Sequence, residues 1–156
     1  NAGTYILSSD SGTQTILNSN QSYDGSGGAP IELFGSSNLT IKNSRIELTG
    51  INGIVVDIAG NWSGTLKMID CEIVATNADT NSQTIGIRYD TGVTGNVQLK
   101  NCTIITAENG TGTAKSINAP SAQTVYLQGD SSATHAVDAD ITVAGGSLIV
   151  NTNFTA

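Results

Sequence analysis

Charge is scarce in this 156-residue chain: 12% of its residues are charged, against roughly 25% in an ordinary soluble domain. Only six are basic (Lys42, Arg45, Lys67, Arg88, Lys100 and Lys115), and the formal net charge is −7. Six cations spread along the sequence make no footprint for phosphates, so nucleic acid and anionic membrane surfaces are excluded as expected partners. No apolar run approaches the ~20 residues of a membrane span. Aromatics make up 4%, and there are two Cys, two Pro and one His. Two Cys and one His in no zinc-like spacing exclude a structural metal site, and no cofactor is expected. Scarce charge beside 38% hydrophobic residues also argues against disorder, which pairs low hydrophobicity with high charge. No convincing helical period occurs anywhere, so the chain is expected to be all-β.

Gly, Ser, Thr and Asn fill the space that charge leaves, a composition suited to strands and many turns. They are arranged in a repeat. Leu39-Thr40-Ile41-Lys42-Asn43-Ser44-Arg45-Ile46 is echoed 27 residues on by Leu66-Lys67-Met68-Ile69-Asp70-Cys71-Glu72-Ile73. It returns after another 31 as Val97-Gln98-Leu99-Lys100-Asn101-Cys102-Thr103-Ile104. A weaker copy starts at Val125-Tyr126-Leu127, and a fifth is expected at Leu148-Ile149-Val150, 23 residues further. Within each copy apolar and polar residues alternate, placing one side of a strand against a core. The alternation resets after Asn43, Asp70 and Asn101. A bend belongs there, because Asn and Asp tolerate the left-handed conformation and can hydrogen-bond locally. Stacked coils turn these three residues into a ladder at one corner.

A third apolar stretch follows each copy: Ile54–Ile58, then Ile85–Tyr89, then a fainter Ser116-Ile117. Three strands per coil predict a right-handed, single-stranded parallel β-helix (a β-solenoid) of about five coils, each of roughly 23–31 residues. The whole chain, residues 1–156, is expected to be one such domain. Charge checks the register independently. Alignment sets Arg45 beside Glu72 and Asp57 beside Arg88, two outward pairs of opposite sign on neighbouring coils, each worth about 0.2–1 kcal/mol.

The Leu-x-Ile-x-Asn-Ser/Cys-x-Ile coil resembles that of the pectate-lyase-like β-helix superfamily. The opening Ala2-Gly3-Thr4-Tyr5-Ile6-Leu7 is similar to the Gly-Thr-Tyr segment that often begins such helices. The resemblance covers most of residues 1–150. It implies a fold that hosts polysaccharide lyases, polygalacturonases, phage tailspikes and many surface proteins, and so says little of activity. Members that act like polygalacturonases use Asp clusters on adjacent coils, and the lyases use a basic residue with calcium-binding acids. Here Asp57 and Asp90 share no stacked position. Asp138 and Asp140, with Asp130 and His135 nearby, are the remaining candidates, and surface solvation accounts for them better. The chain is therefore not expected to be an enzyme.

Other residues mark expected binding positions. Trp62, Tyr89 and Tyr126 are the rings that could stack on a sugar. Tyr89 aligns with the inward Ile58 and belongs to the core, whereas Trp62 in Gly60-Asn61-Trp62-Ser63-Gly64 is expected to be exposed in a turn. The residues that lengthen the second and third coils, around Asn77, Asp79 and Asn81 and around Glu108 and Asn109, fall at one edge, often the binding edge of a solenoid. Of six Asn-x-Ser/Thr sequons, at Asn20, Asn38, Asn61, Asn101, Asn109 and Asn153, Asn61 and Asn109 are the plausible glycan acceptors. Cys71 and Cys102 share one repeat position. They are expected as stacked, buried thiols, with a disulfide as the alternative.

Both ends of the sequence read as strand with no cap, and there is neither an initiating Met nor a signal-peptide pattern. The expectation is a mature form or an excised piece: either flanking protein has been removed, or another subunit covers each open end. The sequence thus points to a non-catalytic extracellular structural protein that assembles head-to-tail with itself into a filament, fibre or sheath. The alternative is a phage tail-fibre or tailspike segment that binds bacterial surface glycan; a polysaccharide lyase or hydrolase ranks third. The expected partners are further copies of the chain, or a surface glycan, at a cell or virion surface.

Overall fold

The computed structural model describes residues 6–8, 13–23, 29–50, 53–77, 83–107, 113–119 and 123–150. Every regular element among them is a strand. In chain order these are β1 (Ile6–Ser8), β2 (Thr13–Leu17), β3 (Asn20–Tyr23), β4 (Ile31–Leu33), β5 (Asn38–Lys42) and β6 (Arg45–Gly50). Next come β7 (Gly53–Ile58), β8 (Thr65–Ile69), β9 (Glu72–Asn77), β10 (Gln83–Tyr89), β11 (Asn96–Lys100) and β12 (Thr103–Ala107). The last are β13 (Thr113–Asn118), β14 (Thr124–Ala133), β15 (Val137–Asp138) and β16 (Asp140–Val150).

Each strand pairs in parallel with the strand one coil away, so the chain is a β-solenoid. One sheet stacks β1-β4-β7-β10-β13-β15. A second runs β2-β5-β8-β11-β14 and continues through β14 into β12-β9-β6-β3, with β16 also paired to β14. The middle of the chain winds about three turns, β4–β6, β7–β9 and β10–β12, with β1–β3 paired along one end and β13–β16 along the other. The repeat fixes the register as the sequence predicts: Leu39 lies opposite Leu66, Leu66 opposite Val97, and Val97 opposite Val125.

Alternation fills the interior. Leu39, Ile41, Leu66, Met68, Val97, Leu99, Val125 and Leu127 point inward and are at most 2% exposed. They meet Ile46, Ile73 and Ile104 from the third strands of the coil, and Val56, Ile58, Ile87 and Tyr89 from the first sheet. This shared interior is the hydrophobic reward that offsets ordering each coil, and neighbouring coils supply it to one another.

The repeat starting at Leu148 needs correction. Ile141, not Leu148, lies opposite Val125, and Leu148 pairs with Ser131 on the other side of the bend. The last coil is short because β15 has only two residues, so the apolar pattern recurs sooner than sequence spacing suggests. β14 also passes the corner without a break, since Gly129 (φ 70°) stands where earlier coils have Asn or Asp. A side chain at Gly129 would meet Asn101 Oδ1 at 2.1 Å.

Candidate functional site

Three surfaces carry the chemistry of this solenoid: the corner ladder, the outward face of the β5-β8-β11-β14 stack, and the outer edge at β16.

The corner is the most regular of the three. Asn43, Asp70 and Asn101 have φ of 48°, 53° and 50°, and Asn18 joins them at 52°. Side chains that hydrogen-bond locally make this conformation tolerable in Asn and Asp. The bend costs no backbone pairing. Asn18, Asn43, Asp70 and Asn101 each donate their N–H to a carbonyl of the next coil, at 3.1, 3.0, 2.9 and 3.3 Å. Asn101 Nδ2 also donates to Asp70 Oδ1 at 2.9 Å, and Asn101 Oδ1 accepts from the Asp130 N–H at 3.1 Å. The ladder expected from sequence is present, one rung longer. It borders an open, polar groove of about 600 Å³ that runs past Asn43, Arg45, Asp70, Glu72 and Asn101.

One residue inward, Ser44, Cys71 and Cys102 form a buried column. Ser44 Oγ donates to Lys42 O at 2.7 Å, Cys71 Sγ to Ile69 O at 3.2 Å, and Cys102 Sγ to Lys100 O at 3.3 Å. Each small side chain donates to the carbonyl two residues back, a role that Ser and Cys both fill at this position. Both cysteines are free and buried. The Cys102 thiol is pushed up by its hydrogen-bonding contact with Cys71 and by burial.

Ion pairs flank the corner and the first sheet. Arg45 Nε bonds Glu72 Oε2 at 2.6 Å, and its Nη1 bonds Glu47 Oε2 at 2.6 Å. Arg88 grips Asp57 with two hydrogen bonds, at 2.9 and 2.6 Å, and lies 3.7 Å from Asp90. Both cross-coil pairs predicted from the alignment are formed. Hydrogen bonding to Arg45 holds the Glu47 carboxyl below its ordinary value.

Several expected positions move. Trp62 is not an exposed platform: its side chain is fully buried and its Nε1 donates to Ser37 O at 3.0 Å. Two glycines make room for the ring, since a Cβ on Gly95 would lie 2.4 Å from Trp62 Cε3 and one on Gly64 would lie 3.0 Å from Trp62 Nε1. An indole beside glycines in stacked coils folds into the corner rather than facing solvent. Asn61 next to it is exposed. Asn77 ends β9, and Asp79, Asn81, Glu108 and Asn109 lie outside the described residues. Asp138 and Asp140 belong to different sheets, in β15 and β16. His135 Nδ1 is 2.9 Å from Thr106 Oγ1, and its N–H donates to Ser116 Oγ. No group of three or more His, Cys, Asp or Glu capable of holding a metal occurs among the described residues.

The outward face of the β5-β8-β11-β14 stack was not singled out by sequence. Lys42, Ile69 and Lys100 are in register along β5, β8 and β11, and Lys67 stands beside them in register with Gln98 and Tyr126. Tyr126 is 41% exposed, the ring on the surface that Trp62 was expected to be. A shallow depression of about 230 Å³ lies against it, lined by Lys67, Gln98, Lys100, Gln128 and Ala144 among others. The alignment of Tyr126 with the outward Lys67 and Gln98 is the signal from which its exposure could have been read.

At the solenoid's edge, β16 pairs with β14 alone among the described strands. It bends at Gly145 (φ 75°) and Gly146 (φ 130°) and leaves Val143, Ile149 and Val150 at 48%, 64% and 39% exposure. No described helix is long and apolar enough to cross a membrane. No family model matches the chain, and no curated protein or solved structure matches it.

Proposed function

We propose that this chain is a non-catalytic structural solenoid of an extracellular surface, which extends by stacking further copies of itself head-to-tail. The observation that supports this reading is β16. An eleven-residue strand with one side unpaired among the described residues offers N–H and C=O groups for strand addition. Its two halves continue two different stacks and meet at a glycine bend. The opposite end offers the same shape, β2 and β3 meeting at Asn18 (φ 52°). Exposed Val143 and Val150, in register with the buried Leu127 and Ala133, would be covered by the next coil, and Ile149 beside them would be flanked by it. Such a contact is heterologous and propagates.

The finer description of the fold belongs to the same proposal: a right-handed coil of the pectate-lyase-like type, about five coils in all. Parallel strands joined by crossover connections are right-handed in about 98% of cases, which supports the hand. The tail-fibre reading, with bacterial surface glycan as partner, draws on the exposed Tyr126.

The test is sedimentation velocity with negative-stain microscopy over a range of protein concentrations. Fibres of uniform width that lengthen with concentration are expected. The double variant Val143→Lys, Ile149→Lys should remain a small particle with an unchanged β-type circular dichroism spectrum. A wild-type protein that stays monomeric at every concentration overturns the proposal. A compact three-fold complex favours the tail-fibre reading instead.

A further inference from the structure

The structure assigns an anion-binding strip to the face of β5, β8, β11 and β14, suited to a linear glycan bearing carboxylate or sulfate groups. The inference rests on the glycan-binding reading and is independent of whether the chain polymerises.

Charge distribution is the first observation. The chain carries a net charge of −7 with six basic residues, and three of these, Lys42, Lys67 and Lys100, stand on this one face. β5, β8, β11 and the Thr124–Gln128 half of β14 hold no acid; Asp130 lies past the corner in β14, and Asp140 begins β16 at the edge. None of the three lysine ammonium groups has an ion pair or hydrogen-bond partner among the described residues, whereas both arginines are held by carboxylates. Uncompensated cations concentrated on one surface of an acidic protein set up a local positive field. Lys42 and Lys100 stand two strand spacings apart, about 10 Å, with Lys67 on the strand between them.

Shape and hydrogen-bonding capacity come second. The outward side chains beside the lysines are mostly amides and hydroxyls: Thr40, Thr65, Asn96, Gln98 and Gln128. The exposed ring of Tyr126 borders the depression of about 230 Å³ that Lys67 and Lys100 line. An exposed ring offers a sugar an apolar body and a polar tip. Amides on either side can both donate to and accept from ring hydroxyls. A chain laid across the strands would meet Lys42, Lys67, Lys100 and Tyr126 in succession.

A protein partner fits less well. Protein interfaces are enriched in Arg, Met and aromatic residues and depleted in Lys, while this face holds lysine as its only cation. Single-stranded nucleic acid needs stacking rings in series along a basic groove, and this face has one.

The experiment is titration calorimetry of the full chain against four polymers: alginate as a polyuronate, heparin as a sulfated glycan, neutral dextran, and polyglutamate. Alginate or heparin should bind, with affinity falling as salt rises, and the two arms separate carboxylate from sulfate. The double variant Lys67→Gln, Lys100→Gln should weaken that binding about tenfold or more, and Tyr126→Ala should weaken it while Tyr126→Phe retains most of it. All are surface substitutions, and circular dichroism verifies that the coil is intact. Dextran binding that the lysine variants leave unchanged overturns the anion-binding strip but leaves the glycan reading standing. Polyglutamate binding as tight as either acidic glycan overturns it in favour of an acidic polypeptide. Binding to none of the four overturns both.

Discussion

Tyr89 offers the sharpest test of how the interior is built. Its side chain is 1% exposed, in register with Ile58 of the neighbouring coil, and its hydroxyl has no hydrogen-bond partner. A buried hydroxyl without a partner costs about 1–3 kcal/mol in lost hydration. Tyr89→Phe removes that group and leaves the packing of the ring unchanged. We therefore expect the variant to be more stable at neutral pH by about 1 kcal/mol, a rise of about 2–4 °C in Tm for a chain of this size. The pH dependence follows separately. Burial raises the phenol above its ordinary value of 10.0. The folded state then disfavours the phenolate, so this contribution to stability is fully present below pH ~10 and is lost as pH rises through the folded value. The wild type should weaken above pH 10 in a way that the Phe variant does not, so the gap between them widens with alkalinity. Urea unfolding followed by circular dichroism at pH 7 and pH 11 measures both effects. A variant less stable than wild type at pH 7 by ~1 kcal/mol or more would refute the reasoning, because it would mean that the hydroxyl is well bonded. A gap that stays constant across pH would refute the titration argument.

Gly95→Ala places a Cβ 2.4 Å from Trp62 Cε3 and 2.7 Å from Gly64 O; we expect a loss of about 1–3 kcal/mol by urea unfolding, with Trp62 fluorescence shifted toward that of a wetter indole. Asp70→Val should cost at least about 1–2 kcal/mol at its φ of 53° and remove the acceptor of Asn101 Nδ2. Asp70→Gly, free of the first penalty, should cost less in the same assay. Hydrogen bonding to Arg45 lowers Glu47 from its ordinary 4.5, so the stability it contributes is present above that value and is lost as pH falls below it. Arg45→Met should flatten this acid-side dependence in unfolding curves taken from pH 7 to pH 3, by a modest amount because the pair is partly solvated.

The coil was legible in the sequence because a solenoid repeats its local rules. Alternation at Leu39, Leu66 and Val97, an Asn or Asp at each reset, and charges of opposite sign one coil apart all report nearest-neighbour contacts. Such contacts follow directly from the repeat length. The sequence alone therefore determined the parallel stacking, the register, the corner ladder and the two arginine pairs.

Tertiary structure decided whatever depends on more than one coil at a time. Trp62 sits in a turn by sequence, yet Gly64 in the same turn and Gly95 in the adjoining coil clear a buried space that the indole fills. The last repeat falls at Ile141 because β15 is cut to two residues, and loop length is not written in the apolar pattern. Lys42, Lys67 and Lys100 look scattered in sequence and become neighbours only when β5, β8 and β11 are laid side by side. A repeat encodes which residue meets its counterpart one coil away, whereas a surface is made by several counterparts together and exists only once the coils are stacked.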